Sequence, residues 1–278
     1  MQKNKIKFVF FGTPEFSVIV LDELKSADFI PSLVVTAEDK PKGRKLVLTP
    51  PEVKVWAEKN GVPCLQPKTL KDPSVAEHIE QIQAEFFVVA SYGKIIPQNI
   101  LDMPKRGALN VHPSLLPKLR GASPIESAIL SENETGVTII KLDEQMDHGP
   151  ILARHKIETS EWPPYFEMLE KDLARAGGKL LAGILPDWLS HKLNEQHQDH
   201  GKATLCGKIK KEDGLLDLTQ DPELNLRKIR AYHIWPTAYF FKDGKRIIVK
   251  RAHIDDGELV IDRIVPEGKK EMDYKKLK

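Results

Sequence analysis

Three short, largely apolar runs mark the first third of the chain: Ile6–Phe11, Ser32–Thr36 and Phe86–Ala90. None of them alternates with polar residues, so each reads as a strand buried on both faces. Between them lie segments of helical length that mix polar and apolar positions, Phe16–Ala27, Pro50–Lys59 and Val75–Gln83. Strands alternating with helices predict a parallel α/β sheet. The pattern continues with a strand at Leu109–His112, a helix at Ser123–Ser131, strands at Gly136–Asp143 and Ile151–Ile157, and a long helix over Trp162–Trp188.

The texture changes near residue 200. His191–Lys202 is polar and ends in the cluster His197, Gln198, Asp199, His200 before Gly201, which suits a linker. Beyond it, Ala238–Phe241, Arg246–Ala252 and Glu258–Ile264 read as short strands joined by the tight turns Lys242–Lys245 and Asp255–Gly257. A small β-rich domain following an α/β domain is the expectation.

Length and composition agree with that division. The 278 residues and 31.4 kDa accommodate two domains. Hydrophobic residues at 41% and charged residues at 29% exclude collagen, low-complexity disorder and a disulfide-stapled miniprotein. The net charge of +2 offers no whole-chain attraction to nucleic acid. It conceals an asymmetry, however: residues 1–200 hold 24 Lys/Arg against 27 Asp/Glu, and residues 201–278 hold 18 against 13. A basic β domain on a near-neutral body fits a nucleic-acid handle, and equally an unevenly charged solvated face. No apolar run approaches the ~20 residues of a membrane span. The start MQKNKIKFVFFGTPEF reads as a first strand and not a signal peptide, because Gly12, Pro14 and Glu15 break the apolar run. Cys64 and Cys206 form no disulfide framework or CxxC site, and the cytoplasm is the expected setting.

Candidate chemistry concentrates in residues 107–152. Asn110 and His112 lie two apart on a strand and so share a face. An amide donor beside an imidazole could hold a carbonyl and stabilise the oxyanion formed on attack, though Asn-x-His is also a common structural pair. Asp147, beside Gly149, is either a turn residue or a carboxylate orienting His112, with Asp143 and Glu144 as rivals. Asp143, Asp147 and His148 lack the spacing of a metal site, and no GxSxG elbow supports a hydrolase. Gly12-Thr13-Pro14 turns the chain after the first strand without the GxGxxG of a dinucleotide site. Lys40, Lys42, Arg44 and Lys45 sit around Pro41 and Gly43 in an expected exposed loop suited to phosphates. A second basic group holds Lys202, Lys208, Lys210 and Lys211. A third places Arg227, Lys228 and Arg230 near Tyr232 and Trp235, a pattern open to RNA binding or to core packing.

Several blocks resemble the folate-dependent formyltransferases: FFGTPEFS (10–17), TAEDKPKGRKLVLTPPEVKVWAEKNGVP (36–63), VVASYGKIIP (88–97), LNVHPSLLPKLRGASPIESAIL (109–130), ETGVTIIKLDEQMDHGPIL (134–152) and IRAYHIWPTAYFF (229–241). NVHPSLLPKLRGASP is the most specific of them. The basic stretch at 36–50 resembles the branch that formylates methionylated initiator tRNA, more than those acting on glycinamide ribonucleotide or amino sugars.

The resemblance implies a doubly wound, mostly parallel α/β domain at residues 1–190 that binds 10-formyltetrahydrofolate. It also implies a linker at 191–203 and a tRNA-binding β-barrel domain like a reduced OB-fold at 204–278. It implies catalysis by Asn110, His112 and Asp147. A folate pocket would be formed by Val88, Val89, Ala90, Ser91, Tyr92, Ser114, Leu115, Leu116, Pro117, Gln145 and Met146. The tRNA contacts would come from Lys40, Lys42, Arg44, Lys45, Lys208 and Lys210, with Arg44 foremost. No metal, no membrane and a monomer are expected. Two departures stand out. Trp162-Pro163-Pro164 replaces the usual polar helix entry, and the C-terminal strands are few for the family. An amino-sugar formyltransferase, a non-enzymatic RNA-binding protein and a hydrolase releasing formate are the competing readings.

Overall fold

The structure is a computed structural model that describes residues 6–43 and 46–277. The chain divides into two compact units. Of the described residues, unit 1 holds those up to 120, 136–157 and 171–203, and unit 2 holds 121–135, 158–170 and 204–277.

Unit 1 begins with β1 (Phe8–Gly12), α1 (Glu15–Ser26), β2 (Leu33–Val35), β3 (Lys40–Lys42), β4 (Val47–Thr49), α2 (Glu52–Asn60) and β5 (Cys64–Leu65). It continues with α3 (Pro73–Glu80), β6 (Phe86–Ala90), α4 (Gln98–Leu101), β7 (Ala108–His112) and the two-residue β8 (Arg120–Gly121). After α5 (Pro124–Ser131), which belongs to unit 2, come β9 (Thr135–Lys141), β10 (Ile151–Ile157) and the long α6 (Phe166–Leu189), which is in unit 1 from Lys171 onward. The apolar runs read from sequence are the central strands: all of β1 is buried, as is β2. Helix starts follow local chemistry. The Asp72 carboxylate accepts the Ser74 N–H and Pro73 occupies the first turn of α3, two residues ahead of the expected start.

Seven strands form the sheet in the order β10-β9-β7-β6-β1-β2-β5. β1 pairs in parallel with β2 and β6, β2 with β5, and β6 with β7, whereas β9 runs antiparallel to β7. Phe8 and Phe86, opposite each other in the register, stack with centroids 5.0 Å apart. Such a pair contributes about 1 kcal/mol beyond its burial. Because β2 and β6 flank β1 on opposite sides, the order reverses there, and open α/β sheets bind ligands at the carboxyl ends of strands at such a reversal. The ends of β1 and β6 are latched together: Ser17 Oγ donates to the Ala90 carbonyl at 2.6 Å and Thr13 Oγ1 to that of Tyr92 at 3.2 Å. Behind β7, α6 comes so close that a Cβ on Gly177 would lie 2.5 Å from Val111 Cγ1, a contact only glycine permits.

Two parts differ from expectation. The basic stretch after β2 is a hairpin and not an open loop: β3 and β4 pair antiparallel, Lys40 with Thr49 and Lys42 with Val47. Residues 191–203 belong to unit 1 and are docked, since Gln196 and Ile151 exchange backbone hydrogen bonds of 2.8 Å.

Unit 2 contains α5, β11 (Leu205–Cys206), α7 (Pro222–Ala231), β12 (Tyr239–Lys242), β13 (Lys245–Asp255), β14 (Glu258–Pro266) and β15 (Met272–Asp273). The last four make an antiparallel sheet in chain order. Its own core is built from Leu226 and Ile229 of α7 against Phe240, Ile247, Val249 and Ile264. The helix α7 is new relative to the sequence reading, and two members of the third basic group lie within its packing. Arg227 donates to the carbonyls of Ile129 and Glu132 at the end of α5, at 3.0 and 2.7 Å. The buried Arg230 bonds Glu161 and the Pro163 carbonyl. Both guanidiniums make their bonds within unit 2. Trp235, which could have been core, is 55% exposed. No helix among the described residues is long and apolar enough to cross a membrane.

Candidate active site

Three side chains singled out in the sequence converge in unit 1. β7 is pleated, so Asn110 and His112 project to one face, and the turn after β9 brings Asp147 to them. Asn110 Nδ2 donates to Asp147 Oδ1 at 3.3 Å, and the same oxygen lies 3.5 Å from His112 Nδ1. His112 and Asp147 are buried, at 3% and 8% exposure. Of the two rival carboxylates, Glu144 is exposed and Asp143 is engaged elsewhere: Asp143 Oδ2 faces His148 Nδ1 at 2.7 Å and its other oxygen accepts the Gln145 N–H. No group of three His, Cys, Asp or Glu able to hold a metal occurs among the described residues.

The His112 ring is fixed by a partner invisible in the sequence pattern. Its Nε2 lies 3.0 Å from the Leu119 carbonyl, an acceptor only, so Nε2 carries a hydrogen. In a neutral ring Nδ1 is then a bare lone pair facing a carboxylate oxygen. Two acceptors so placed hold one proton between them, or take an N–H from a third group. At 3.5 Å the contact is too long for a firm hydrogen bond, and the arrangement is suited to receiving a proton from a bound amine.

Asp147 has φ +53°, in the left-handed region that costs a non-glycine residue about 1–3 kcal/mol. The surroundings impose it. Gly149 is pressed against β9, where a Cβ would meet the Lys141 carbonyl oxygen at 1.9 Å. Gln198 Nε2 donates to the carbonyls of both Asp147 and Gly149, at 2.9 and 2.7 Å. Arg120 donates to Gln198 Oε1 at 2.7 and 3.2 Å and lies 2.9 Å from His200 Nδ1. The His200 ring stacks on His148 at 4.1 Å. Partial desolvation, then His148 and the Arg120 charge, hold His200 below the usual imidazole range, which leaves Nδ1 an acceptor for the guanidinium.

The remaining expected site residues fall in several places. Val88 and Val89 pair with Leu109 and Asn110 across β6 and β7. Val88, Ala90 and Tyr92 are buried, Ser91 is exposed at φ +47°, and burial pushes the Tyr92 phenol up to about 12. Ser114 and Leu116 face inward. Thr138 Oγ1 accepts the Leu116 N–H and donates to the Ser114 carbonyl, so this turn is a structural clamp beneath His112. Leu115 and Pro117 are half-buried, and Gln145 and Met146 are exposed beside Asp147. Lys40 is exposed on β3, Lys42 pairs with Glu52 at 2.7 Å, and Lys208 and Lys210 are exposed on unit 2. Arg44 and Lys45 lie outside the described residues.

Comparison with known proteins decides the family. Residues 4–184 match the formyl transferase model and residues 208–259 match the formyl transferase C-terminal domain. The chain belongs to the formyl transferase family. Among family members, a methionyl-tRNA formyltransferase of Chloroflexus aggregans is 42% identical over 252 residues, covering 90% of this chain and 81% of its own. One from Geobacillus sp. (strain WCH70) is 43% identical over 235 residues, covering 84% and 74%. Solved formyltransferase structures share the fold at low identity. The methionyl-tRNA formyltransferase from Clostridium thermocellum superposes with a TM-score of 0.61 at 18% identity, over 94% of this chain and 98% of its own. An N-formyltransferase from Helicobacter canadensis, in complex with folinic acid and dTDP-3-aminofucose, gives 0.67 at 16%, over 90% and 88%.

Proposed function

We propose that this enzyme transfers the formyl group of 10-formyltetrahydrofolate to the α-amino group of methionyl initiator tRNA, yielding N-formylmethionyl-tRNA for translation initiation. The observation that carries the reading is the identity of 42%, across most of both chains, to a methionyl-tRNA formyltransferase. The convergence of Asn110, His112 and Asp147 supports it.

The folate co-substrate supplies an activated formyl carbon, and the residues present fit it: one amide donor and one imidazole on a single strand face suit a single carbonyl oxygen. The attacking α-amine has an ordinary pKa of about 8, so a useful fraction is neutral. As its nitrogen bonds to the formyl carbon, the C=O electron pair moves to oxygen, where Asn110 Nδ2 donates. The amine's surplus proton passes to the His112 Nδ1–Asp147 pair, and His112, anchored at Nε2, then donates to the same oxygen. When the oxygen's electron pair re-forms C=O, the bond from the formyl carbon to the folate nitrogen breaks with its electrons on nitrogen, and the His112–Asp147 pair returns the proton to that leaving nitrogen. No covalent enzyme intermediate is required. Backbone at Val88–Tyr92, the 114–117 turn, and Gln145 and Met146 would hold the folate. Lys40, Lys42, Arg44, Lys45, Lys208 and Lys210 would meet tRNA phosphates.

The domain roles follow: residues 1–190 carry the chemistry and 204–278 bind tRNA as a reduced OB-like barrel. The register shifts between Val249 and Ala252 support the last point, since bulges bend strands toward closure. The enzyme is read as a cytoplasmic monomer. The deciding test offers 10-formyltetrahydrofolate with methionylated initiator tRNA, methionylated elongator tRNA and an amino-sugar nucleotide. Formylation strongly favouring the initiator is expected. Transfer to the amino sugar, or formate release without an acceptor, would overturn the reading.

A further inference from the structure

Residues 194–202 are exposed with one exception, Gln198, which is 6% exposed. This lone buried position in a polar stretch makes four hydrogen bonds. Its Nε2 donates to the carbonyls of Asp147 and Gly149, and its Oε1 accepts two N–H groups of Arg120. Arg120 directly follows Leu119, whose carbonyl holds His112 Nε2. The contacts therefore close into a ring that runs from His112 to Leu119 and Arg120, on to Gln198, then to Asp147 and back to His112 Nδ1.

From this ring we infer that Gln198 is a positioning residue for formyl transfer, setting the Asp147 carboxylate against His112. The inference rests on the reading of His112 and Asp147 as the reacting pair. Only a primary amide supplies a double donor at one end and an acceptor at the other. A flip would press its oxygen on two carbonyls and its NH2 on a guanidinium, so the neighbours dictate one orientation. Each anchor of the reacting pair thus refers to the same amide. Displacing Asp147 by a fraction of an ångström spoils the shared-proton geometry, and misplacement on the order of 1 Å costs about 100-fold in rate.

The test uses the full-length enzyme. Gln198→Glu keeps an acceptor for Arg120 but replaces both donors to the Asp147 turn with an oxygen; Gln198→Met removes all four bonds at similar length. Both are compared with H112A, D147N and the double variant Q198E/D147N in steady-state formyl transfer, with thermal midpoints and the pH profile of kcat. The expected result for Q198E is kcat lowered about 10–100-fold. KM for folate and charged tRNA should stay within about threefold, with an altered pH profile; the thermal midpoint should fall, because two buried carbonyls lose their donor, while the enzyme stays folded at the assay temperature. In the double variant Q198E should cost nothing beyond D147N, because it acts through that residue. Q198M is judged by the same split should Q198E fold poorly. Near-parental kcat in both variants while D147N is crippled, or multiplicative losses in the double variant, would overturn the assignment. Near-full turnover by H112A and D147N would instead remove the reading beneath it.

Discussion

At His112 the anchored nitrogen and the reacting nitrogen are different atoms. Nε2 is taken by the Leu119 carbonyl, and Nδ1 is turned toward Asp147 and Asn110. Removing either donor to the developing oxyanion costs about 3 kcal/mol of barrier. Asn110→Ala and His112→Ala should each lower single-turnover formyl transfer 100-fold or more. Folate affinity, measured by fluorescence titration, should move less than about threefold. Retained turnover in either variant would remove that residue from the reaction. The Asn-x-His pair was legible because period-two pleating places it on one face. Leu119 and Gln198 were not, because a backbone carbonyl has no sequence signature and a glutamine among polar residues looks solvated. A second titratable group is Glu126 on α5. Burial holds its carboxyl above the usual range. The folded state then binds that proton more tightly than the unfolded chain, so stability falls as pH rises from the unfolded pKa through the raised one. Glu126→Gln should raise the thermal midpoint at pH 8 and give no advantage below about pH 4, where both forms are neutral.

Among the elements, the β3–β4 hairpin shows why some segments escape pattern reading. Both strands are three residues long and largely exposed, with Pro41 inside one and Gly43 at φ +71° after it. No buried face exists to impose alternation, so the stretch resembles a loop. The helix α7 is hidden for the converse reason. Asp221-Pro222-Glu223 is a good start signal, and the Asp221 carboxylate does accept the Glu223 N–H. Yet the buried face includes Asn225 and Arg230, which blurs the apolar period. The hairpin presents Lys40 and Lys42 to solvent, the latter only loosely committed to Glu52 across an exposed pair. Lys40→Glu with Lys42→Glu should raise KM for charged tRNA tenfold or more while folate binding is unchanged. Equal KM values for charged tRNA would exclude the hairpin from recognition.

For the whole molecule, charge read along the chain and charge available at the surface are different quantities. The 18 basic residues after position 200 include Arg227 and Arg230, whose partners lie 95 and 69 residues away in sequence and consume them inside unit 2. A boundary drawn near residue 200 missed those partners, because 121–135 and 158–170 pack with unit 2 although they precede the boundary. Lys208 and Lys210 are among the basic residues after position 200 that remain exposed. Each phosphate neutralised releases counterions and adds about 0.7–0.9 to the slope of log affinity against log salt. Charged-tRNA affinity, measured between about 50 and 200 mM salt, should therefore fall steeply while folate affinity changes little. Lys208→Glu with Lys210→Glu should flatten that slope by about two. Arg227→Ala should leave the slope alone and lower the thermal midpoint, since it removes a donor from the Ile129 carbonyl and leaves the Glu132 carbonyl to Trp162 Nε1. A flatter slope from Arg227→Ala, with none from the lysine pair, would reverse the division between structural and tRNA-facing cations.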